Sequence, residues 1–429
     1  MYKTTFKEIN KIKSESDNDE STDEKNSISD AMSSVFVKST KIPDNIDVVK
    51  GINFDKEINI HEFINHYKYM GFQATNLGIG IDEINKMIHL KYIDNNGKNE
   101  INDNNGNKKK CMIWLSFTSN MISSGLREIF VYLAKNRFVD VIVTTAGGIE
   151  EDIIKCFSNT YLGDFSLNGK KLRKKGWNRI GNLIVPNENY CKFEDWLQPL
   201  LNKMLDEQNE KNEEIFLKKL EKRKKREEKK ENEKKSNCDQ NESDSDEESD
   251  LFYLSPSEFI NRLGKEINDE SSLIYWCYKN NIPVFCPGLT DGSLGDNLFF
   301  HNYGKKIKNN LILDIIKDIK KINSLALNCR KSGIIILGGG LPKHHVCNAN
   351  LMRNGADYAV YVNTANEYDG SDSGANTTEA LSWGKIKSGN KNNHVKVFGD
   401  ATILFPLMVL NTFYLYSQNK KKRNTEIKE

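Results

Sequence analysis

The sequence predicts an α/β fold, a doubly wound parallel sheet with helices on both faces. Two observations lead to this class. Short apolar runs bounded by turn residues, which are typical of buried strands, occur at 112–117 and 139–143. Each is followed by a stretch whose apolar residues recur at helical spacing. Such alternation is typical of parallel sheets, whose ligands bind at the carboxyl ends of the strands.

The other elements are predicted in chain order. Segment 58–90 shows helical spacing broken near Gly71, which indicates two helices, and the polar run 94–107 predicts a surface loop. Thr118 or Ser119 is placed to cap the helix after the first strand, and Glu150 and Glu151 fall in the first turn of the next helix. Further strands of the sheet are expected at 181–185, 282–286, 334–337, 358–362 and 395–398.

Composition divides the chain of 429 residues into four parts. Residues 1–45 are polar and charged, which predicts a disordered extension. A single catalytic domain comprises 46–205 and 251–416, and a basic tail occupies 417–429. Residues 206–250 form a charged insertion, EKRKKREEKKENEKK and then ESDSDEESD, with a solvated basic helix and a disordered acidic end. Folding resumes where Ser255 or Ser257 is placed to cap a helix.

Charge and cysteine content exclude several classes of protein. The 62 basic and 60 acidic residues give a net charge of +2, so no overall field favours a nucleic-acid or membrane partner. No secretory signal is recognised, and eight cysteines without a C-x-x-C favour reduced thiols in a cytoplasmic protein. The apolar run 401–416 contains Pro406 and Asn411 and is shorter than the ~20 residues of a membrane span. It is predicted to be a core helix.

The run 334–387 contains most of the residues suited to binding a ligand and to catalysis. Its strand ends in the glycine turn Gly338, Gly339 and Gly340, and Pro342 suits the first turn of a helix. A strand, a glycine turn and a helix N-terminus together form a site for a pyrophosphate. The three glycines lack the G-x-G-x-x-G spacing, so this signal is weak alone. A second glycine turn, TTAGGIEED, opens the helix after the second strand.

The second half of that run is typical of a polyamine site. Asp369, Asp372 and Glu379 lie in a polar stretch that is followed by Trp383 and Lys385. Carboxylates bind ammonium groups, a tryptophan face attracts a cation, and a lysine amine can form an imine. The carboxylates favour the protonated lysine, whereas burial against the tryptophan favours the neutral amine.

Two further motifs contain residues suited to a metal or ligand site. His344 and His345 precede Cys347, but no second cluster completes a tetrahedral metal site, so no metal is expected. One histidine is expected to face the site as a proton-transfer group. The loop LTDGSLGD places Asp291 and Asp296 just after a strand, where turn chemistry is the alternative to ligand binding.

Together these motifs resemble the deoxyhypusine synthase family over 48–206 and 251–416. The resemblance rests on GFQATNLG at 71, TSNMISSGLRE at 118, VDVIVTTAGGIEEDIIKC at 139, PGLTDGSLGD at 287 and the run from 338 that ends in EALSWGKI. It implies a Rossmann-like subunit in a homotetramer with active sites between subunits. It also implies NAD-dependent transfer of the 4-aminobutyl group of spermidine to one lysine of the precursor of translation initiation factor five-A, the first step of hypusine formation.

The resemblance also implies roles for individual residues. Lys385 matches the lysine that forms the enzyme imine, and His344 is expected to assist proton transfer. Residues matching cofactor contacts are Ser119, Asn120, Ser123, Thr145, Ala146, Gly147, Glu151, Asp291, Gly339, Thr364, Asp400 and Ala401. Residues matching spermidine contacts are Glu150, Glu151, Asp296, His344, Gly370, Ser371, Asp372, Glu379, Trp383 and Lys385.

Three alternatives stay open at this point. Homospermidine synthase would use the same scaffold with putrescine as acceptor. A catalytically weak paralogue would activate a partner subunit, although the intact lysine and glycine turns argue against it. A binding module that uses the basic run 222–235 would leave the folded domain unexplained.

Overall fold

The computed structural model describes residues 35–92, 111–233, 251–304, 306, 310–389 and 393–426. The loop predicted at 94–107 lies outside these residues, as do residues 1–34 and the acidic end of the predicted insertion. The described part of the predicted extension is 35–45, of which 36–45 form no helix or strand and are mostly exposed.

The strands of the described residues form two sheets. They are β1 (Cys111–Phe117), β2 (Val141–Val143), β3 (Tyr161–Leu162), β4 (Trp177–Ile180), β5 (Leu183–Pro186), β6 (Val284–Phe285), β7 (Lys331–Leu337), β8 (Tyr358–Asn363) and β9 (His394–Phe398). The larger sheet has the order β6-β2-β1-β7-β8-β9, and its pairs are all parallel. The doubly wound α/β class predicted from the sequence is confirmed.

Helices connect these strands on both faces. They are α1 (Ile60–His66), α2 (Phe72–Tyr92), α3 (Ser119–Ser123), α4 (Leu126–Lys135), α5 (Ala146–Phe157), α6 (Gly169–Lys174), α7 (Asn187–Glu233), α8 (Pro256–Ile267), α9 (Leu273–Lys279), α10 (Ser293–Asn302), α11 (Ile315–Asn328), α12 (Gly340–Leu351), α13 (Thr377–Ser382), α14 (Ala401–Val409) and α15 (Leu415–Glu426). Gly71, at φ +91°, separates α1 from α2 near the predicted break. Ser255 caps α8 in a capping box with Glu258.

The two faces of the sheet carry two apolar clusters. Successive residues of β1 point to opposite faces, so Ile113 and Leu115 join one cluster while Trp114 joins the other. The first cluster includes Phe130 of α4, and the second includes Val346 of α12. Because both faces are buried, the sheet is rigid and its strand ends are fixed in space.

The strand predicted at 181–185 does not belong to the parallel sheet. It is β5, and it lies in a separate antiparallel sheet of order β3-β5-β4. Between β4 and β5 stand only Gly181, at φ +58°, and Asn182, which makes a hairpin. The prediction was wrong because a short apolar run does not distinguish parallel from antiparallel pairing.

Helix α7 runs without a break across the boundary predicted at 205/206. Leu205 and Gln208 are buried, and the Gln208 side chain donates to the Asn310 carbonyl at 3.0 Å. The Asn212 side chain accepts from the Phe252 amide at 2.6 Å, so the chain after residue 250 returns to this helix. The folded domain therefore includes the helix as far as about this contact.

The C-terminal helical region also differs from the prediction. A π-helical turn, Leu410–Tyr414, follows α14, and α15 continues through the predicted basic tail to Glu426. Within the described ranges, no helix is long and apolar enough to cross a bilayer.

Candidate active site

The carboxyl ends of the parallel strands meet at one edge of the larger sheet. The chain winds in opposite directions from β1 and β7, so the crevice between these two strands is the switch point where a doubly wound sheet binds ligands. Most of the predicted cofactor residues follow the strands of this sheet directly. They are Ser119, Asn120 and Ser123 after β1, Thr145, Ala146 and Gly147 after β2, Gly339 after β7, Thr364 after β8, and Asp400 and Ala401 after β9.

Glycine residues let the backbone segments of the crevice approach closely. A Cβ on Gly147 would lie 2.7 Å from the Ser119 Cβ. A Cβ on Gly338, which has φ +84°, would lie 2.8 Å from Thr118 Oγ1. A Cβ on Gly339 would lie 2.5 Å from the Ser373 hydroxyl. No larger residue fits these positions without movement of a neighbour, so the glycines shape the crevice.

Three longer helices begin at this edge. Thr145 and Gly339, the N-cap residues of α5 and α12, make no side-chain capping bond, whereas Asp400 caps α14 by accepting from the Thr402 amide at 2.8 Å. The first turn of α5 therefore presents backbone N–H groups where the sequence predicted phosphate binding. In α12 the Gly340 amide already donates to the Ser373 hydroxyl at 2.8 Å, and the amides after it in the first turn face the same edge. Thr118 precedes α3 but makes no side-chain capping bond.

Glu150 does not lie in the first turn of its helix as expected. Because α5 begins at Ala146, Glu150 and Glu151 occupy the second turn. Glu150 accepts a hydrogen bond from the Leu294 amide at 2.8 Å and so caps the first turn of α10. Burial raises the pKa of Glu150 to about 7, although the amides of Leu294 and Ser293 favour its ionised form. This carboxyl therefore links α5 to the helix that carries Asp296.

Glu151 has one carboxylate oxygen that is ready for a ligand. Tyr190 donates to its Oε1 at 3.0 Å. Its Oε2 is buried and has no hydrogen-bond partner in the described part of the chain. Burial raises the pKa of this carboxyl, and the Tyr190 hydroxyl opposes that shift. An unpaired buried acceptor is costly, so a hydroxyl or ammonium donor is expected beside it.

A second group of contacts joins α12 to the loop after β8. His344 Nδ1 lies 3.2 Å from Asp372 Oδ1. Lys343, which is almost fully buried, donates to the Asp372 carbonyl, and its Nζ lies 3.7 Å from Asp372 Oδ2. Lys396 holds the two ends of the same loop by donating to the carbonyls of Ala365 and Gly374. The loop is thus held at its ends and at Asp372, whose carboxylate contacts His344 and lies near the Lys343 ammonium.

Lys385 is held by its backbone. Its amide donates to the Ala380 carbonyl at 2.9 Å, and its carbonyl accepts from the Ala356 amide at 3.0 Å. The ammonium lies 5.6 Å from the centre of the Trp383 ring, within range of a cation–π interaction. Lys385 is half-buried, but Trp383 is 65% exposed, so the expected burial against this ring is only partial in one subunit.

The remaining predicted residues are exposed. Glu379 lies in the first turn of α13, and Asp291 and Asp296 lie at or near the start of α10. Gly370 and Ser371 form the tip of the loop after β8, where the Ser371 amide and hydroxyl lower the pKa of Asp369. Among the predicted residues, the contacts described form a β2-side group around Glu150 and Glu151, and on the β8 side they join His344 to Asp372 and Lys385 to Trp383.

Several site residues were missed by the sequence reasoning. Tyr190 and Lys396 contact the site from positions outside every motif quoted above, so no signal in the sequence points to them. Ser373 lies inside the run 338–387, directly after Asp372. Lys343 has one signal, its place directly before His344. In the described ranges, no group of three or more His, Cys, Asp or Glu side chains could hold a metal ion. Cys347 instead lies 3.3 Å from the Tyr361 hydroxyl.

Comparison with known proteins identifies the family. The model of the deoxyhypusine synthase family matches residues 62–235 and 229–412. A deoxyhypusine synthase of Senecio vernalis is 49% identical over 88% of this chain and 92% of its own length. The enzyme of Kluyveromyces lactis is 50% identical over 88% of the chain and 95% of its own length. The enzyme of Saccharomyces cerevisiae is 48% identical over 91% of this chain and 96% of its own length.

A solved structure agrees with these sequences. A protein of Entamoeba histolytica assigned as a deoxyhypusine synthase superimposes with a TM-score of 0.52 at 30% identity, over 85% of this chain and 97% of that one. The chain belongs to the deoxyhypusine synthase family, and it is an enzyme that transfers an aminobutyl group.

Proposed function

We propose that the chain binds NAD and spermidine and transfers the 4-aminobutyl group to one lysine of the precursor of translation initiation factor five-A. The observation that carries the proposal is the position of Lys385. Its backbone is fixed by hydrogen bonds to Ala380 and Ala356, and its ammonium faces the Trp383 ring. This amine stands in the EALSWGKI motif, which follows the loop that carries Asp372 in the sequence.

The crevice between β1 and β7 fits a dinucleotide. The glycines at 147 and 339 leave space that a Cβ would fill, and the buried Glu151 Oε2 calls for a donor such as a ribose hydroxyl. The first turns of α5 and α12 would hold the pyrophosphate. Bound NAD would supply a hydride acceptor and later return the hydride. The resemblance to the deoxyhypusine synthase family implies the same cofactor.

The residues around Lys385 suit a polyamine. Asp372, Glu379 and Asp296 would bind the ammonium groups of spermidine, and Trp383 would cover its methylene chain. Once spermidine is oxidised to an imine, the Lys385 amine attacks the imine carbon and diaminopropane leaves. The butyl imine then lies on Lys385 and passes to the acceptor lysine. His344, oriented by Asp372, would move the protons of these exchanges.

We propose further that the enzyme is a cytoplasmic homotetramer with active sites between subunits. Trp383 and Tyr368, which lie on the β8 side of the site, are 65% and 91% exposed in one chain. Large contiguous apolar patches mark interaction surfaces, and two exposed aromatic side chains on one side of the site would contribute to such a patch. A neighbouring subunit would complete the pocket by covering them. The seven described cysteines are all free, which agrees with a reducing compartment.

Covalent trapping tests the proposed chemistry. The protein is incubated with NAD and spermidine labelled in its butyl part, reduced with borohydride and digested for mass spectrometry. We expect the label on the peptide containing Lys385, and no label when NAD is omitted. Label on another lysine, or none in an enzyme that transfers the butyl group, would contradict the role of Lys385.

The homospermidine synthase alternative is not favoured, because the relatives compared above are deoxyhypusine synthases at about half identity. An assay that offers both putrescine and the protein lysine as acceptors decides between the two. A catalytically weak paralogue is tested by the purified chain alone, which is expected to transfer label without a partner protein.

A further inference from the structure

Lys155 makes hydrogen bonds that play no part in the functions proposed above. This residue lies near the end of α5, and its Nζ donates to the carbonyls of Ile122 and Ser123 at 2.7 Å and of Ser124 at 3.0 Å. These carbonyls lie at the C-terminal end of α3, where the last carbonyls of a helix have no hydrogen-bond donor within the helix. A protonated lysine has three N–H donors, so all of them are occupied here. A cation at this end also complements the dipole of α3.

The same face of α5 contacts α3 at its other end. Gly147, Glu151 and Lys155 are spaced four residues apart, so they lie along one side of the helix. Gly147 lies against Ser119, the first residue of α3, so closely that no side chain fits between them. Lys155 contacts the last turn of α3. The short helix is therefore held at both ends by one face of α5, with Glu151 in between.

Charge also links Lys155 to the site. Lys155 lowers the pKa of Glu151, in opposition to the effect of burial on that carboxyl. The surroundings of Lys155 itself contain the carboxylates of Glu128, Glu151 and Asp152 and the cation of Arg127. Burial lowers the pKa of Lys155, and the nearby carboxylates oppose this shift. The three carbonyl acceptors fit the charged form, because a neutral amine has only two donors.

We propose that Lys155 is a positioning residue of the dinucleotide site, holding α3, with Ser119, Asn120 and Ser123, against the face of α5 that carries Gly147 and Glu151. This inference rests on the proposed function, because it assigns the cofactor to that crevice. In the free enzyme, Lys155 keeps α3 in the conformation that the cofactor requires. Because this helix is already ordered, binding of the cofactor loses less free energy to ordering it. Once the cofactor is bound, its own contacts hold α3.

The test replaces Lys155 with methionine, an unbranched side chain that matches the apolar part of lysine and has neither N–H donors nor charge. Lys155→Arg restores a cation and donors, and Lys192→Met is the matched control, an exposed lysine nearby that contacts Ser158. NAD affinity is measured by calorimetry, and kcat and the KM for NAD are measured with spermidine saturating. We expect Lys155→Met to raise the Kd and KM for NAD about tenfold, since it removes charge-assisted hydrogen bonds.

At saturating NAD, the kcat of Lys155→Met is expected to stay within about threefold of wild type, because the cofactor then holds α3. Lys155→Arg is expected to recover most of the affinity, and Lys192→Met to leave it unchanged. A purely structural role would instead lower kcat and Tm without this selective effect on NAD. If Lys155→Met does not fold, Lys155→Gln replaces it. Failure of the methionine, glutamine and arginine variants to fold would overturn the proposal.

Two results separate this inference from the function proposed above. If the wild-type enzyme does not bind NAD, the proposed function itself is wrong. If the wild type binds NAD and a folded Lys155→Met protein binds it equally well, only the positioning role is wrong.

Discussion

His344 Nδ1 lies 3.2 Å from the Asp372 carboxylate, and Lys343, the residue before His344, contacts Asp372 from inside the protein. One aspartate thus joins a buried cation, an exposed imidazole and the loop after β8. The carboxylate can orient the imidazole and still bind an ammonium group, because each oxygen accepts more than one hydrogen bond.

Asp372→Asn is expected to reduce kcat/KM for spermidine by about 10- to 100-fold, because a charged partner is lost and Lys343 stays buried beside a neutral amide. The Kd for NAD should change little. Steady-state kinetics and calorimetry measure the two effects. Glu367→Gln, five residues earlier on the exposed part of the loop, is the control and should keep near-normal kinetics. Equal losses in both variants would contradict a special role for Asp372.

Lys385→Arg is expected to abolish aminobutyl transfer, because a guanidinium keeps the positive charge but does not form the imine. Binding of NAD and the Tm should stay close to wild type. The control is Lys387→Arg, whose lysine pairs with Asp357 at 3.3 Å instead of facing the site. Transfer of labelled butyl groups to the acceptor protein is the measurement. Near-normal transfer by Lys385→Arg would refute the covalent role.

Glu150 predicts a specific pH dependence of stability. Its pKa is raised from 4.5 to about 7, so the folded protein binds the proton more tightly than the unfolded chain. The stabilisation is fully present below the pKa that Glu150 has in the unfolded chain, and it is lost as the pH rises through the pKa that it has in the folded protein. The free energy of unfolding should fall between these values by up to about 1.4 kcal/mol per pH unit from this group.

Glu150→Gln removes this titrating group while the amide oxygen can still accept from Leu294. Urea unfolding of both proteins at several pH values between 4.5 and 7 gives the comparison. The difference in unfolding free energy between wild type and variant should decrease as the pH rises. A difference that stays constant with pH would show that Glu150 has no raised pKa.

Gly147→Ala is expected to weaken NAD binding at least about tenfold, because the new methyl group would meet the Ser119 side chain and push α3 away from α5. Gly125→Ala is the matched control, since a Cβ there meets no atom within 4 Å. Calorimetry with NAD measures the affinity, and thermal melts check folding. Normal affinity in Gly147→Ala would mean that the two helices adjust without cost.

Two deletions should differ in stability. Removal of 206–250 also removes Gln208 and Asn212, which bond to Asn310 and Phe252, and should lower the Tm. Removal of 219–249, with a short Gly-Ser linker in their place, keeps these contacts and should leave the Tm and activity near normal. Thermal melts and the transfer assay measure both. Loss of activity in the shorter deletion alone would assign the charged segment a function.

The sequence predicted the parallel sheet because strands such as β1 and β7 contain apolar runs bounded by turn residues. It misplaced the segment at 181–185, since pairing partners are set by contacts distant in the chain. The glycine turns and the lysine motif were recognised because each is local. The contacts of Tyr190 with Glu151 and of Lys343 with Asp372 depend on how distant segments pack, and spacing does not record them.

The segment that carries Lys385 is joined to Ala356 on both sides, through the Lys385 carbonyl and the Lys387 amide. Its main chain is therefore held in place, so the Lys385 amine changes position mainly by rotation about the bonds of its four methylene groups. Donor and acceptor must each come within this short radius. In the proposed reaction the acceptor protein has to bring its lysine to this half-buried amine, so recognition of the acceptor depends on how far its lysine extends as well as on affinity.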